Sequence, residues 1–210
     1  MDKSPKPIVA AIEGVALGGG MELACACHAR ICAPNAKVGF PEVNLGLLPG
    51  AQGTQRLPRM VALEHAMGLL MQGFPVPAKK ALGMGLVQHI HTDKKSSILD
   101  YACEYALMAL TNPKMCVPAT KLKVPKENKL KVLGGGLAGA AVQAAKFRRD
   151  QPAAPLIIEA VRLAVLGNDW AKGCAFERQA FEKLMYSKES GAMRNFFFAE
   201  RMAAKVSGIK

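Results

Sequence analysis

Three consecutive glycines, Gly18, Gly19 and Gly20, stand between a short apolar run and a stretch of small residues, and they restrict what can be built around them. The preceding segment, PIVAAIEG over residues 7–14, is apolar, β-branched and closed by glycine, which predicts a buried strand. Residues 15–20 then read as a glycine-rich turn. Residues 21–31 read as a helix whose small and apolar residues on every side predict burial. A strand feeding a helix through glycines leaves unpaired N–H groups at the helix start, at the positive end of its dipole. Glycine lets a ligand oxygen come close to them. Such a turn suits an oxyanion.

Glu22 lies on the first turn of that helix. A second carboxylate, Glu42, follows a short strand over residues 37–40 and Pro41, and it precedes a glycine-rich stretch containing Gly46, Pro49, Gly50 and Gly53. Two carboxylates beside a donor-rich turn suit general acid–base work on a carbonyl compound. On the residues alone, a packing turn with two solvated glutamates stands beside that reading.

Residues 44–59 are read as loop-rich. Helices are predicted over residues 61–71 and 77–83, a strand over 86–91, and an amphipathic helix over 96–111 closed by Pro113. A basic, proline-containing stretch without clear period follows. This predicts a boundary near residue 112, with helices dominating beyond it at 140–149, 155–166, 169–187 and 191–206. Phe196, Phe197 and Phe198 cannot share one helix face, and at least one is expected to pack on the core.

Half of the 210 residues are hydrophobic, which excludes intrinsic disorder, and the length suits one domain with or without an appendage. No apolar run reaches the roughly 18 residues of a membrane span. The start of the chain is polar and does not read as a secretory signal. None of the six cysteines forms a CxxC pair, so a zinc site is not expected, and scattered thiols suit a reducing compartment. His89 and His91 are the one histidine pair with alternating spacing, and no metal is expected there. Lys and Arg total 28 against 16 Asp and Glu, a formal charge of +12. Such an excess suits nucleic acid, acidic lipid or a polyphosphorylated small molecule, or is simply a solvated surface. Lys121, Lys123, Lys126, Lys129 and Lys131 concentrate it.

A second glycine pattern, Gly134, Gly136 and Gly139, spells GxGxxG, with Glu159 twenty residues on. Proline at 152 and 155 disrupts the second strand a dinucleotide fold needs, so a loop or linker without an NAD site is expected.

The string AIEGVALGGGMELACACHARICAPNAKVGFPEVNLGLLPGAQGTQRLPR resembles the signature region of the enoyl-CoA hydratase/isomerase (crotonase) superfamily. AKKALGMGLVQHI is similar to that family's A-x-x-x-G-L-V segment. NFFFAERMAAKV resembles the last hydratase helix of peroxisomal multifunctional β-oxidation enzymes. The resemblance implies an α/β fold, a crotonase-like spiral of ββα units over residues 1–112, and a helical C-terminal region over 113–210.

The resemblance assigns Gly19 as an oxyanion-hole donor and Glu22 and Glu42 as the catalytic carboxylates. It implies substrate contacts from Gly18, Gly20, Leu45, Pro49 and Gly50. The implied reaction is addition of water to C3 of a trans-2-enoyl-CoA in fatty-acid β-oxidation. Glu22 would mainly activate the water and Glu42 deliver a proton to C2. Isomerisation of 3-enoyl to 2-enoyl thioesters is the implied second activity. The coenzyme A thioester is substrate, and no cofactor or metal is implied. Gln52 stands where many members carry glycine, with little effect expected because Gly50 and Gly53 remain.

The family's first oxyanion donor comes from an upstream A-G-x-D-[LI] loop that this sequence lacks. The expectation is therefore an N-terminally incomplete core with half an oxyanion hole, weakly active and prone to associate through unpaired strand edges. The rival reading is a non-catalytic crotonase-fold protein that binds RNA or a protein partner, although the two glutamates favour the enzyme and make nucleic acid the disfavoured partner. A dehydrogenase part downstream in a longer parent chain and self-association are the remaining partners under consideration. The peroxisome is the implied compartment, with cytoplasm and mitochondrion as alternatives. The terminal Ser-Gly-Ile-Lys is not a peroxisomal tripeptide.

Overall fold

The computed structural model describes residues 1–148, 150–167 and 169–205. In chain order the elements are β1 (Val9–Ile12), β2 (Val15–Leu17), α1 (Gly19–Ala26), β3 (Ala29–Cys32), β4 (Lys37–Gly39) and a 3-10 turn at Glu42–Leu45. Next come α2 (Gly53–Met60), α3 (Leu63–Gln72), β5 (Val76–Pro77), α4 (Ala78–Gly83), β6 (His89–Ile90) and α5 (Ile98–Thr111). The remaining helices are α6 (Lys126–Leu133), α7 (Ala138–Phe147), α8 (Ala153–Leu166), α9 (Trp170–Met185) and α10 (Lys188–Ala203). The expected helix limits at Arg149 and Val206, and the terminal Ser-Gly-Ile-Lys, lie outside the described residues.

Two small sheets organise the N-terminal half. One has the order β1-β3-β6 and is parallel throughout; the other, β2-β4-β5, joins a parallel to an antiparallel pair. Parallel neighbours need a crossover, and α1 supplies it between β1 and β3. The register runs from Val9 opposite Ala29 to Ile12 opposite Cys32.

This pairing corrects the helix expected over residues 21–31. Helix α1 stops at Ala26, and Ala29–Cys32 is a fully buried strand. Small residues allow either conformation. The strand prevails because it finds β1 on one edge and β6 on the other, which satisfies a buried backbone. Arg30 closes the choice: its buried guanidinium donates to the carbonyls of Leu86 at 2.7 Å and Cys27 at 3.1 Å.

Two further expectations change for related reasons. Residues 15–20 contain strand β2, held parallel to β4, rather than turn alone. Residues 44–59 contain the helix α2, whose first amides are satisfied by carboxylates remote in sequence rather than by a local cap. By contrast, α5 starts where its sequence says it should: Ser97 and Asp100 form a capping box.

One buried hydrophobic cluster runs from Ile12 to Leu184 and so crosses residue 112. Its C-terminal contribution comes largely from α8, where Ala153, Ile157, Ala160, Val161 and Ala164 form a helical stripe against α2 and α3. Full burial of Ile157 and Val161 contributes about 1.5–3 kcal/mol each. The three phenylalanines of α10 depart from expectation. Phe196 and Phe198 are 71% and 59% exposed, and Phe197 packs edge-on against Phe198 instead of on the core. Residues 134–137 form a turn between helices α6 and α7 and Gly139 lies in the first turn of α7, so no strand leads into the glycines. His89 stacks on Tyr101, and His91 meets the same ring at a tilt. Among the described residues no helix is long and apolar enough to cross a membrane, and no cluster of metal-ligating side chains occurs.

Asn128 ties the basic segment to the core. Almost fully buried, it accepts from the Leu63 N–H at 2.8 Å and donates to the carbonyls of Pro58 and Val61 at 2.9 and 3.0 Å. Asn128→Ala strands three backbone groups and is expected to cost roughly 2–4 kcal/mol in urea unfolding. A loss below about 0.5 kcal/mol, the range of an ordinary surface substitution, would show that the bridge does not hold α6 in place.

Candidate active site

The glycine turn directs α1 toward the interior. Gly18 has φ +55, a region open mainly to glycine, and a Cβ placed on it would lie 3.1 Å from Glu42 Oε1. The turn therefore brings the backbone against one glutamate while starting the helix that carries the other. Gly19 is the first residue of α1, so its N–H has no acceptor within the helix.

Glu22 is buried, and its Oε1 accepts the N–H groups of Ala51 and Gly53, both at 2.8 Å. Burial pushes its carboxyl above the ordinary range, while the amides of Gly53, Ala51 and Gly50 and the charge of Arg56 oppose that shift. Glu42, at the start of the 3-10 turn, is equally hidden, yet neither oxygen has a hydrogen-bond partner among the described residues. Burial pushes it up to about 8; its own backbone N–H opposes the shift, and the like charges of Glu22 and Glu177 add to it. Two neighbouring carboxyls thus differ in their surroundings: loop amides donate to Glu22, and none of those amides reaches Glu42.

Gly19, Glu22, Glu42 and Gly50 line a single cleft of about 600 Å³. Its opposite wall is formed by Arg178, Phe181, Glu182 and Met185 of α9 with Tyr186 just beyond. The other candidates lie elsewhere. Gly18 is buried behind Glu42, and Gly20 faces a separate hollow beside β1. Leu45 is half-buried, its carbonyl accepting from Ser190 Oγ at 2.8 Å, and Pro49 is buried against Gly53. None of the five lysines of the basic stretch lines the cleft; Lys131 is instead ion-paired with Glu64.

The sequence reading missed two features. Glu177 is a third carboxylate, 1% exposed, that holds the same loop from α9. Burial pushes it up to about 7. The available signal was its place on the buried stripe of α9, with Gly173, Ala180 and Leu184 at helical spacing. The second is the conformation of Gln52, a position where little effect was expected. The residue has φ +76, a left-handed conformation that costs a non-glycine residue on the order of 1 kcal/mol. Its side chain compensates by accepting from Arg56 Nη2 at 2.5 Å, and Arg56 is itself paired twice with Asp2 at 2.7 Å.

An α/β fold with parallel strands, a glycine turn opening a helix and two buried carboxyls in one cleft defines a class of site suited to proton transfer at an activated carbonyl. The family described as enoyl-CoA hydratase/isomerase matches residues 1–143, and the chain belongs to it. Fatty acid oxidation complex subunit alpha of Shewanella halifaxensis is 42% identical over 218 residues, covering 99% of this chain and 29% of that protein. The peroxisomal bifunctional enzyme of Danio rerio is 38% identical over 205 residues, covering 98% and 27%. The chain therefore spans under a third of the length of these relatives. Among solved structures, carnitinyl-CoA hydratase from Mycobacterium avium superposes with a TM-score of 0.56 at 26% identity, covering 93% of this chain and 60% of its own.

The Glu42 carboxyl gives the fold a pH dependence of definite sign. In the unfolded chain it loses its proton near 4.5, whereas in the folded protein it keeps it up to about 8. The folded state binds the extra proton between those values, so this group's contribution to stability falls as pH rises through that window. Glu42→Gln removes the effect. Relative to wild type, the variant should gain stability with rising pH, approaching about 1.4 kcal/mol per unit at the steepest, and level off above about pH 8. Urea unfolding at several pH values checks this; parallel curves for the two proteins would mean that Glu42 titrates normally.

Proposed function

We propose that this chain is an enoyl-CoA hydratase of fatty-acid β-oxidation that adds water to trans-2-enoyl-CoA. The observation that carries the reading is the unequal solvation of two buried carboxyls facing one cleft. Amides favour the ionised form of Glu22, and the bare surroundings of Glu42 favour its protonated form. One group is then a base and its neighbour an acid at the same pH, which a hydration needs.

In the proposed reaction the thioester oxygen lies near the Gly19 N–H. Glu22 takes a proton from a water molecule as the water oxygen bonds to C3. The C2–C3 π pair moves toward C2, and the thioester oxygen gains enolate charge that the N–H stabilises as it develops. Glu42 gives its proton to C2. Overall one water is consumed, and proton exchange through the pair restores the starting forms. The same carboxyls support transfer of a proton from C4 to C2, which is the proposed isomerase activity. Coenzyme A enters as part of the substrate, and the chemistry asks for no separate cofactor. Phe181 and Met185 offer an apolar wall to the acyl chain.

The two named relatives support the β-oxidation setting; the word peroxisomal in one of those names supports a peroxisomal compartment, and the bacterial source of the other leaves cytoplasm as the alternative. Their greater length supports a longer parent protein, in which a dehydrogenase part downstream is our proposal.

Hydration of crotonyl-CoA tests the reading. Activity should fall on the alkaline side with an apparent pKa near 8, where Glu42 loses the proton it must deliver. Glu42→Gln should lower kcat by about 10²- to 10⁴-fold with the fold intact. Turnover retained in that variant would reject Glu42 as the acid, and no turnover in the wild type would reject the hydratase reading.

A further inference from the structure

Successive amides of the loop after Gly50 point to opposite sides. Those of Ala51 and Gly53 go to Glu22 of α1. The intervening amides of Gln52 and Thr54 go to Glu177 of α9, at 2.5 and 2.9 Å, and the Thr54 hydroxyl also donates to Glu177. Two carboxylates on helices remote in sequence therefore grip one five-residue segment from its two faces. The segment needs such a grip, because Gln52 at its centre is held in the left-handed region. The approach of α9 is equally specific. At Gly173, one turn before Glu177, a Cβ would fall 2.0 Å from Gln55 Oε1, and Gln55 Nε2 donates to Thr54 Oγ1.

We propose that Glu177 is the positioning residue of this site: by fixing the Gly50–Thr54 loop from the side opposite Glu22, it sets the orientation of Glu22 and the charge balance of the carboxyl pair. The role rests on the hydratase reading only for its activity readout. Glu177 does not line the cleft, so it acts through the loop and through its field rather than on substrate. The charges acting on Glu42 are those of Glu22 from α1 and Glu177 from α9. Arg178 and Glu182 line the same cleft from α9, and Arg56 of α2 acts on Glu22. Helix α10 meets the Glu42 segment through Ser190 and Met193 beside Gly46, and Asn44 of that segment donates to the Gly73 carbonyl at the end of α3.

Glu177→Gln in the 210-residue chain tests the proposal, read by crotonyl-CoA kinetics, thermal unfolding, and NMR of carbon-13-labelled glutamate carboxyls and of the Ala51 and Gly53 amides. Displacement of the loop should lower kcat by roughly ten- to a hundredfold while KM changes less than about threefold. Loss of a like charge should also move the Glu42 titration midpoint to lower pH, and the alkaline limb of the rate profile with it. Should that variant not fold, Thr54→Val carries the test. It removes one donor, drives Glu177 toward its neutral form, and should move the Glu42 midpoint in the same direction with a smaller fall in kcat. In a folded variant, an unchanged kcat overturns the proposal. So does a fall in kcat with the Glu42 midpoint unmoved, which is what a merely structural residue would give. If the wild type hydrates nothing, the hydratase reading fails on its own. The midpoint and the Ala51 and Gly53 amide shifts then decide the role of Glu177, with unchanged values overturning it.

Discussion

The structure turns on the unpaired amides at the start of α2. A helix begins with N–H groups that no residue of its own first turn accepts, and here no local side chain caps them. The fold supplies acceptors from two distant helices instead: Glu22 from the crossover helix α1 and Glu177 from α9. Each carboxylate is buried, and each is tolerable there because it finds amide donors. The loop, the two helices and the cleft are thereby fixed in one arrangement.

Once Glu22 and Glu177 have taken the loop amides, none of these is left for Glu42. Its burial beside two other acids is unfavourable for a carboxylate, and the group answers by holding its proton. A feature that reads as a defect in packing terms, a buried polar group without a partner, is the one that makes the pair chemically unequal. The backbone at Gly18 lies close to Glu42: a Cβ there would be 3.1 Å from Oε1, and the φ of +55 favours glycine in any case.

The C-terminal helices belong to this arrangement as much as the sheets do. Helix α8 fills the core over α2, α9 brings Glu177 and one wall of the cleft, and α10 packs on the Glu42 segment where Gly46 leaves room for Ser190. Gly46, Gly50 and Gly173 are all places where a Cβ would collide with a neighbouring element. Close docking of neighbouring elements accounts for Gly50 and Gly173, and at Gly46 it adds to a left-handed φ of +67.

The chain's local chemistry settled a good deal by itself. The apolar run before Gly18 is a strand, the glycines open a helix, Ser97 and Asp100 start α5, and the two glutamates of the cleft were visible as carboxylates flanking donor-rich turns. These signals are short-range, each residing in a few neighbouring residues. The tertiary structure decided what needed distant partners. Residues 29–32 are a strand because β1 and β6 lie beside them, and residues 53–60 are a helix because two remote acids cap them. Likewise Glu22 and Glu42 differ through tertiary surroundings, chiefly the loop amides that reach the first and not the second. Glu177 reads in sequence as one more charge in an amphipathic helix, and its role exists only where α9 meets the α2 amides, since a hydrogen bond spanning 123 positions leaves no local trace.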